Sequence, residues 1–321
     1  MTGDVQQTLQ AALASLLEAH SEVEMARNAR ALSERYRLRT GAGTRLLTRE
    51  DEAVAYAASR MPATSAAACA ALGEALACSG LSPRTLLDCG AGTGAVTFAA
   101  HALLPLEETL CLEREAAMRS VGQRLMQACG GALASARWDA WDLAKGEALP
   151  QAELVCEGYM LGELSQAQRV PVAVRLWEAA RQMLLLIEPG TPQGAANLSA
   201  VRRELTARGA YVAAPCPSGM ADCPLAGENW CHFAVRVQRT KLHKALKGGD
   251  APYEDEKFCY LALTRTPPAS ACTARVLRHP QIAPGRIALS VCEAGRETQR
   301  VVTKKDPLWK RARKTRWGDG W

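Results

Sequence analysis

Three groups of residues in this chain have types and spacings that suit chemistry. Residues 86–94 read Leu-Leu-Asp-Cys-Gly-Ala-Gly-Thr-Gly, so Asp88 precedes Gly90, Gly92 and Gly94. Glycines so placed let a backbone pass close to a ligand, and a helix that follows presents free N–H groups to it. No Gly-Lys-Ser/Thr follows, which excludes a P-loop. The second group is Cys216, Cys223 and Cys231, spaced C-x6-C-x7-C on a proline-rich stretch that ends Trp-Cys-His-Phe. Three thiols on an irregular loop are poor core material and good metal ligands. The spacing is looser than the C-x2-C knuckle of zinc sites and suits an iron–sulfur cluster at least as well. A fourth ligand could come from Cys292, Cys259, Cys272 or the adjacent His232. The third group is the tail. Residues 303–316 hold Lys304, Lys305, Lys310, Arg311, Arg313, Lys314 and Arg316 against Asp306 alone, and seven minus one equals the formal net charge of the whole chain, +6. The remainder is near neutral, so the tail is a local footprint for a polyanion. Trp309 and Trp317 flank it, and an indole can stack on an unpaired base while cations meet phosphates.

These groups need elements to position them. An apolar run at Thr85–Asp88 enters the glycine loop, and Val96–Leu104 reads as a helix. Thr109–Leu112 is a strand that stops at Glu113, and Ala116–Cys129 is helical. Leu154–Glu157, Val170–Gln182, Met183–Glu188, Ala195–Arg208 and Tyr211–Ala214 continue the alternation of strand and helix. Such alternation predicts βαβ units and a parallel sheet. Before it, residues 4–37, Arg49–Arg60 (ending before Pro62) and Ala66–Cys78 read as helices, with a break at Thr40–Thr44. After it come strands at Phe258–Thr264, Arg286–Val291 and Thr298–Val302. The predicted organisation is a helical cap at 1–79, an α/β domain at 80–268 with a Cys-rich insertion at 213–255, and a small β-containing extension with a basic tail at 269–321.

The bulk composition sets limits. Of 321 residues 48% are hydrophobic but only 5% aromatic, so the core must rest on Leu, Ala and Val. The N-terminus is polar, and no run approaches the roughly 18 apolar residues of a membrane span. A cytoplasmic protein without membrane contact is expected. Its twelve cysteines are then not expected to form mostly disulfides. Cys69, Cys78, Cys111 and Cys129 read as small core residues.

The string D-x-G-x-G-x-G resembles motif I of the class I methyltransferases and, with Asp88, favours S-adenosylmethionine over NAD. Glu113, at the end of the next strand, can accept hydrogen bonds from both ribose hydroxyls. By the same resemblance an acidic residue near the third strand meets the adenine amino group; Asp139 is preferred to Asp142. The expected fold is therefore α/β: a Rossmann-like class I methyltransferase domain with the helical cap and the extension. Glu153–Leu164 lacks the N/D-P-P-Y/F pattern of enzymes that methylate exocyclic amines, and it holds no Pro-Cys nucleophile.

Several strings occur in a specific order: A-Y-A-A-S-R-M-P-A-T (Ala55–Thr64), the glycine loop, E-P-G-T-P-Q-G (Glu188–Gly194), A-P-C-P with C-P-L and W-C-H-F, Y-E-D-E-K-F-C-Y (Tyr253–Tyr260), and the closing W-G-D-G-W. Together they resemble the family of methyltransferase-like protein 17, the mitochondrial small-ribosomal-subunit factor, and its bacterial relatives. The resemblance implies association with the small ribosomal subunit and its rRNA. It also implies a [4Fe–4S] cluster whose ligands carry over to Cys216, Cys223, Cys231 and, in a strand of the extension, Cys292. Cys259 does not match a ligand position. Two functions are compatible: an rRNA-binding assembly factor that binds S-adenosylmethionine, or an active rRNA methyltransferase. The missing amine-methylation pattern favours the first, and the intact loop favours the second. A monomer is expected.

Overall fold

The computed structural model describes residues 2–18, 20–38, 49–142, 145–146, 148–216, 219–220, 222–223, 225, 230–247, 250–270 and 272–321. The predicted break at Thr40–Thr44 lies outside them. Among the described residues, three helices come first: α1 (Thr2–Leu17), α2 (Glu22–Leu38) and α3 (Glu50–Ser79). Then β1 (Thr85–Cys89), α4 (Ala95–Leu103), β2 (Glu108–Glu113), α5 (Ala116–Cys129), the short α6 (Gly131–Ala134) and β3 (Arg137–Ala140) follow. β4 (Ala152–Gly158), α7 (Gln166–Ala179), β5 (Ala180–Pro189), α8 (Pro192–Ala207) and β6 (Tyr211–Ala214) continue the alternation. β7 (Phe233–Gln238), α9 (Lys241–Lys247) and β8 (Tyr253–Thr264) complete this part.

The sheet runs β3-β2-β1-β4-β5-β8-β6, with β7 also on β8. β1 to β5 are parallel, and β8 is antiparallel to β5, β6 and β7. Successive side chains on a strand point to opposite faces. Accordingly Met183, Leu185 and Ile187 pack with α3 and α4, whereas Leu184 and Leu186 pack with α7 and α8. The chain order reverses between β1 and β4, and ligands of such sheets bind at the C-terminal ends of the strands at that point. The glycine loop follows β1.

The expected helices 49–60 and 66–78 are one helix, α3, with Pro62 inside it. A proline interrupts the hydrogen-bond ladder at a cost of about 3 kcal/mol. Here tertiary packing offsets it: Met61 and Ala63 are fully buried, and His243 Nε2 of α9 donates to the Ser59 carbonyl in that turn at 3.2 Å. The helix is long and apolar enough to cross a membrane by composition, contrary to the expectation from run lengths, but 67% of that window is buried against the domain. Residues 4–37 divide into α1 and α2, and Ala180–Gln182 belong to β5 rather than to α7. β7 and α9 were not among the expected elements, although Phe233, Val235 and Val237 recur at the period of a half-buried strand.

The last residues form a second sheet of β9 (Ala274–Val276), β10 (Gln281–Ala283), β11 (Arg286–Glu293) and β12 (Arg296–Thr303), in the order β10-β11-β12 with β9 also on β11. The tail then turns into α10 (Trp309–Ala312) and packs back, with Ala312 and Trp321 in the small core beside Val276, Ile287 and Leu289.

Candidate functional sites

The glycine loop is built by backbone bonds to the neighbouring strand. Gly90 and Ala91 N–H donate to the Leu112 carbonyl at 2.8 and 3.0 Å. Gly90, Gly92 and Gly94 all have positive φ (69°, 58° and 91°), a region costly to other residues. A Cβ on Gly94 would lie 2.3 Å from Met126 Cε, and one on Gly90 2.9 Å from Met160 Cγ. Positive φ at all three positions, with little room for a Cβ at Gly90 and Gly94, makes glycine the favoured residue in this loop.

Asp88 is fully buried. Its Oδ2 accepts from the Thr97 N–H at 3.1 Å and the Thr97 hydroxyl at 2.7 Å, so it pins α4 to the end of β1. Its Oδ1 has no protein partner, and burial pushes the carboxyl up to about 6. Glu113 ends β2 beside the loop. Its Oε2 accepts from Gly92 N–H and its Oε1 from Glu115 N–H at 2.8 Å. Burial raises its pKa, against those two donors. Asp139 sits exposed on β3, opposite Leu112, while its neighbour Trp138 lies against the Gly94 and Gly122 positions with its Nε1 buried and unpartnered. From above, α3 covers the loop: Met61 Sδ accepts from the Thr93 hydroxyl at 3.5 Å.

Sequence reading missed a set of carboxyls at the same strand ends. Glu157 closes β4 and Glu188 lies near the end of β5, both buried, each with one unpartnered oxygen. Glu157 Oε1 accepts from Met160 N–H at 2.6 Å, and Glu188 Oε2 from Asn197 Nδ2 at 3.0 Å. Burial and the neighbouring Glu188 charge raise Glu157 strongly, and burial lifts Glu188 to about 7. Glu163, in the turn after β4, is also lifted to about 7, by burial and then by Glu113. Between them Tyr159 holds a positive φ of 65° and donates its hydroxyl to Glu256 at 3.1 Å. A non-glycine residue in this region is strained, and such strain gathers at functional sites. For Glu157 and Glu188 the available signal was positional, since each lies one residue before the end of its strand, close to where Glu113 ends β2.

A different kind of site lies at the far side of β8. β6 and β7 share one edge of β8, and the segment 215–232 leaves the sheet between them. Arg202, buried on α8, donates from Nε to the Met220 carbonyl at 2.7 Å and from Nη2 to Cys216 Sγ at 3.4 Å. Arg275, buried on β9, donates from Nε to the Pro215 carbonyl at 2.8 Å. The segment is thus anchored by both the α/β domain and the extension. Burial raises the Cys231 thiol, and charge on Cys223, Cys259, Cys292 and Cys216 would raise it further. Cys292 is lifted to about 11 by burial and then by Cys216 and Cys223. Cys231 thus lies within electrostatic range of Cys223, Cys259, Cys292 and Cys216, and Cys292 within range of Cys216 and Cys223. Among the described residues, no three possible ligands converge closely enough for one metal ion. The other candidates for a fourth ligand have partners of their own. The Cys259 thiol donates to the Cys231 carbonyl at 3.2 Å, and the Cys272 thiol pairs with Cys78. The His232 ring stacks on Trp230 at 5.4 Å.

In the tail, Lys304, Lys305, Lys310, Arg311, Arg313, Lys314 and Arg316 are all at least partly exposed. The tryptophans are not free. Trp309 is half-buried against the small core, and Trp317 donates from Nε1 to the His232 carbonyl at 2.9 Å and meets His232 and His279 edge-on.

The strand order, the glycine loop at the reversal and the acid ending β2 define an α/β protein of the class I methyltransferase type. The family described as Mitochondrial small ribosomal subunit Rsm22 matches residues 50–321, and the chain belongs to it. It is 29% identical over 262 residues to a human protein named Ribosome assembly protein METTL17, mitochondrial, across 74% of this chain and 55% of that one. The chain thus spans about half the length of this relative. Solved structures with a likeness include the plantazolicin methyltransferase BpumL in complex with SAH (10% identity, 80% of this chain and 99% of that one, TM-score 0.44). Another is a putative RNA methyltransferase, PH1948, from Pyrococcus horikoshii (14% identity, 74% and 96%, TM-score 0.40). The fold assignment rests on the strand order, not on these distant likenesses.

Proposed function

We propose that this chain is an assembly factor of the small ribosomal subunit that binds rRNA and S-adenosylmethionine and carries a four-cysteine [4Fe–4S] cluster. The observation that carries the reading is the joint one of family and cysteines. A relative named as a ribosome assembly protein aligns across most of the chain, and Cys231 and Cys292, from the loop and the extension, both lie within electrostatic reach of Cys216 and Cys223. Neutral thiols that raise one another are what a soft cation would deprotonate and bind. Bound there, a cluster would staple the extension to the α/β domain through Cys292. The cofactor reading is supported by the unpartnered Asp88 Oδ1 and Trp138 Nε1, by the glycine cradle, and by the Glu113 carboxylate at its mouth. The seven tail cations would supply the rRNA contact. Crosslinking and sequencing of bound RNA tests the reading. Small-subunit rRNA should dominate the recovered sequences, and recovery of unrelated RNA would overturn it.

A second reading, an active rRNA methyltransferase, is favoured by one feature. Glu157 and Glu188 form a buried carboxyl pair that retains a proton near neutrality, the property of a general base or acid. Assaying methyl transfer onto the crosslinked RNA separates the two.

A further inference from the structure

The end of α3 meets the first residues after β8 through a contact unrelated to either site. Ser270 N–H donates to the Cys78 carbonyl at 2.9 Å, and Ala269 Cβ would sit 3.2 Å from a Cβ on Gly80. This brings the Cys272 thiol onto the Cys78 thiol as its hydrogen-bond partner. The third member is Arg275. Its Nη2 lies 3.7 Å from Cys78 Sγ, its Nη1 donates to the Gly318 carbonyl at 2.8 Å and pairs with Glu74, and its side chain is only 1% exposed. A buried guanidinium against one of two touching thiols is an arrangement for a stabilised thiolate. Consistently, the Cys272 hydrogen bond and then the Arg275 charge hold Cys78 down at about 6 against burial, while Cys272 is raised. Other buried cysteines behave oppositely: burial pushes Cys69, on the same helix, up to about 11. Cys78 is 5% exposed and Cys272 half-buried, so a small oxidant reaches the pair from the Cys272 side.

We propose that Cys78 and Cys272 are a redox-active dithiol, which a hydroperoxide converts to an intramolecular disulfide. The Cys78 thiolate attacks the terminal oxygen of the hydroperoxide. The O–O bond breaks, the alkoxide or hydroxide leaves and takes a proton from solvent, and Cys78 becomes a sulfenic acid. The Cys272 thiol then attacks the Cys78 sulfur, forming the S–S bond and releasing water. Two electrons pass from the two sulfurs to the peroxide. Oxidation removes the anion that Arg275 faces, and Arg275 also holds the Pro215 carbonyl next to Cys216. The state of this pair is therefore felt at the start of the cysteine loop.

The test is peptide mapping of the full chain, reduced, desalted anaerobically and treated with equimolar hydrogen peroxide. Remaining thiols are blocked with N-ethylmaleimide before digestion. A Cys78–Cys272 crosslink should be the main product. Cys272→Ser should leave Cys78 as a sulfenic acid trapped by dimedone, and Cys78→Ser should give neither product. Without peroxide, iodoacetamide at neutral pH should label Cys78 about 10-fold or more faster than Cys69, following the thiolate fraction. The Cys292→Ser chain should give the same crosslink, which separates this result from the fate of the proposed cluster. Recovery of both Cys78 and Cys272 as blocked thiols, or a crosslink of Cys272 to Cys216 instead, overturns the proposal.

Discussion

Glu113 Oε2 accepts the Gly92 N–H at 2.9 Å, tying the end of β2 to the middle of the glycine loop. In the proposed cofactor reading the same carboxylate would meet a ribose, so loop geometry and ligand recognition would share one side chain. Calorimetry with S-adenosylhomocysteine should show binding by the wild type. Gly92→Arg should abolish it by filling the cradle beside Met118. Gly94→Ala forces a Cβ onto Met126 at a φ of 91° and should cost about 1–3 kcal/mol of stability as well. Absence of binding by a correctly folded wild type would reduce the loop to an inherited shape.

The cysteine set makes a separate prediction. Serine at Cys216, Cys223, Cys231 or Cys292 should remove the absorbance near 400 nm of anaerobically purified protein and lower its melting temperature, since metal binding and folding are coupled. Serine at Cys259, whose thiol is spent on the Cys231 carbonyl, should do neither. Bleaching by Cys259→Ser with colour retained in Cys292→Ser would exchange their roles.

For the tail, affinity for small-subunit rRNA should fall steeply with salt. Neutralising Lys310, Arg311, Arg313 and Lys314 together should flatten the log–log slope by roughly 0.7–0.9 for each phosphate that is no longer paired with a cation. Ala312 and Trp321 carry the packing there, and Arg311 stacks over the Trp321 ring at 4.8 Å and donates to the Gly320 carbonyl, so the variant should stay folded with a small drop in melting temperature that restoring Arg311 alone reverses. An unchanged slope would place the footprint elsewhere. Trp309 and Trp317 are held by the fold, so their substitution should change stability more than the salt slope.

Glu188 has a folded pKa of about 7, raised from 4.5 chiefly by burial. A raised carboxyl stabilises the fold fully below its unfolded pKa, and that contribution is lost as pH rises through the folded value. Between pH about 4.5 and 7 the native state holds a proton that the unfolded chain has released. Unfolding free energy should therefore decline there by up to about 1.4 kcal/mol per pH unit from this group. Glu188→Gln keeps an acceptor for Asn197 and should flatten that decline in urea melts run across the window. An identical pH slope in the variant would show that folding does not raise the Glu188 carboxyl.

The βαβ alternation and the strand–loop–helix setting of Asp88, Gly90, Gly92, Gly94 and Glu113 were legible in the sequence because they are local. Side-chain period, glycine spacing and the residue ending a strand lie within a few dozen positions of one another. Cys292 was proposed as a ligand only through family resemblance, since nothing near it in the chain points to a loop some sixty residues earlier. The passage of α3 through Pro62 was decided by burial of both flanks and by His243, which local propensity cannot register. The roles of Glu157, Glu163 and Glu188 were likewise set by tertiary structure. A carboxyl becomes a proton-holding group only when the fold removes its water and places another carboxyl beside it, and neither burial nor proximity is written in the residue type. The same holds for Cys78, an ordinary core thiol by its sequence context. It was made different by Cys272 and Arg275, which the chain brings to it from nearly two hundred residues away.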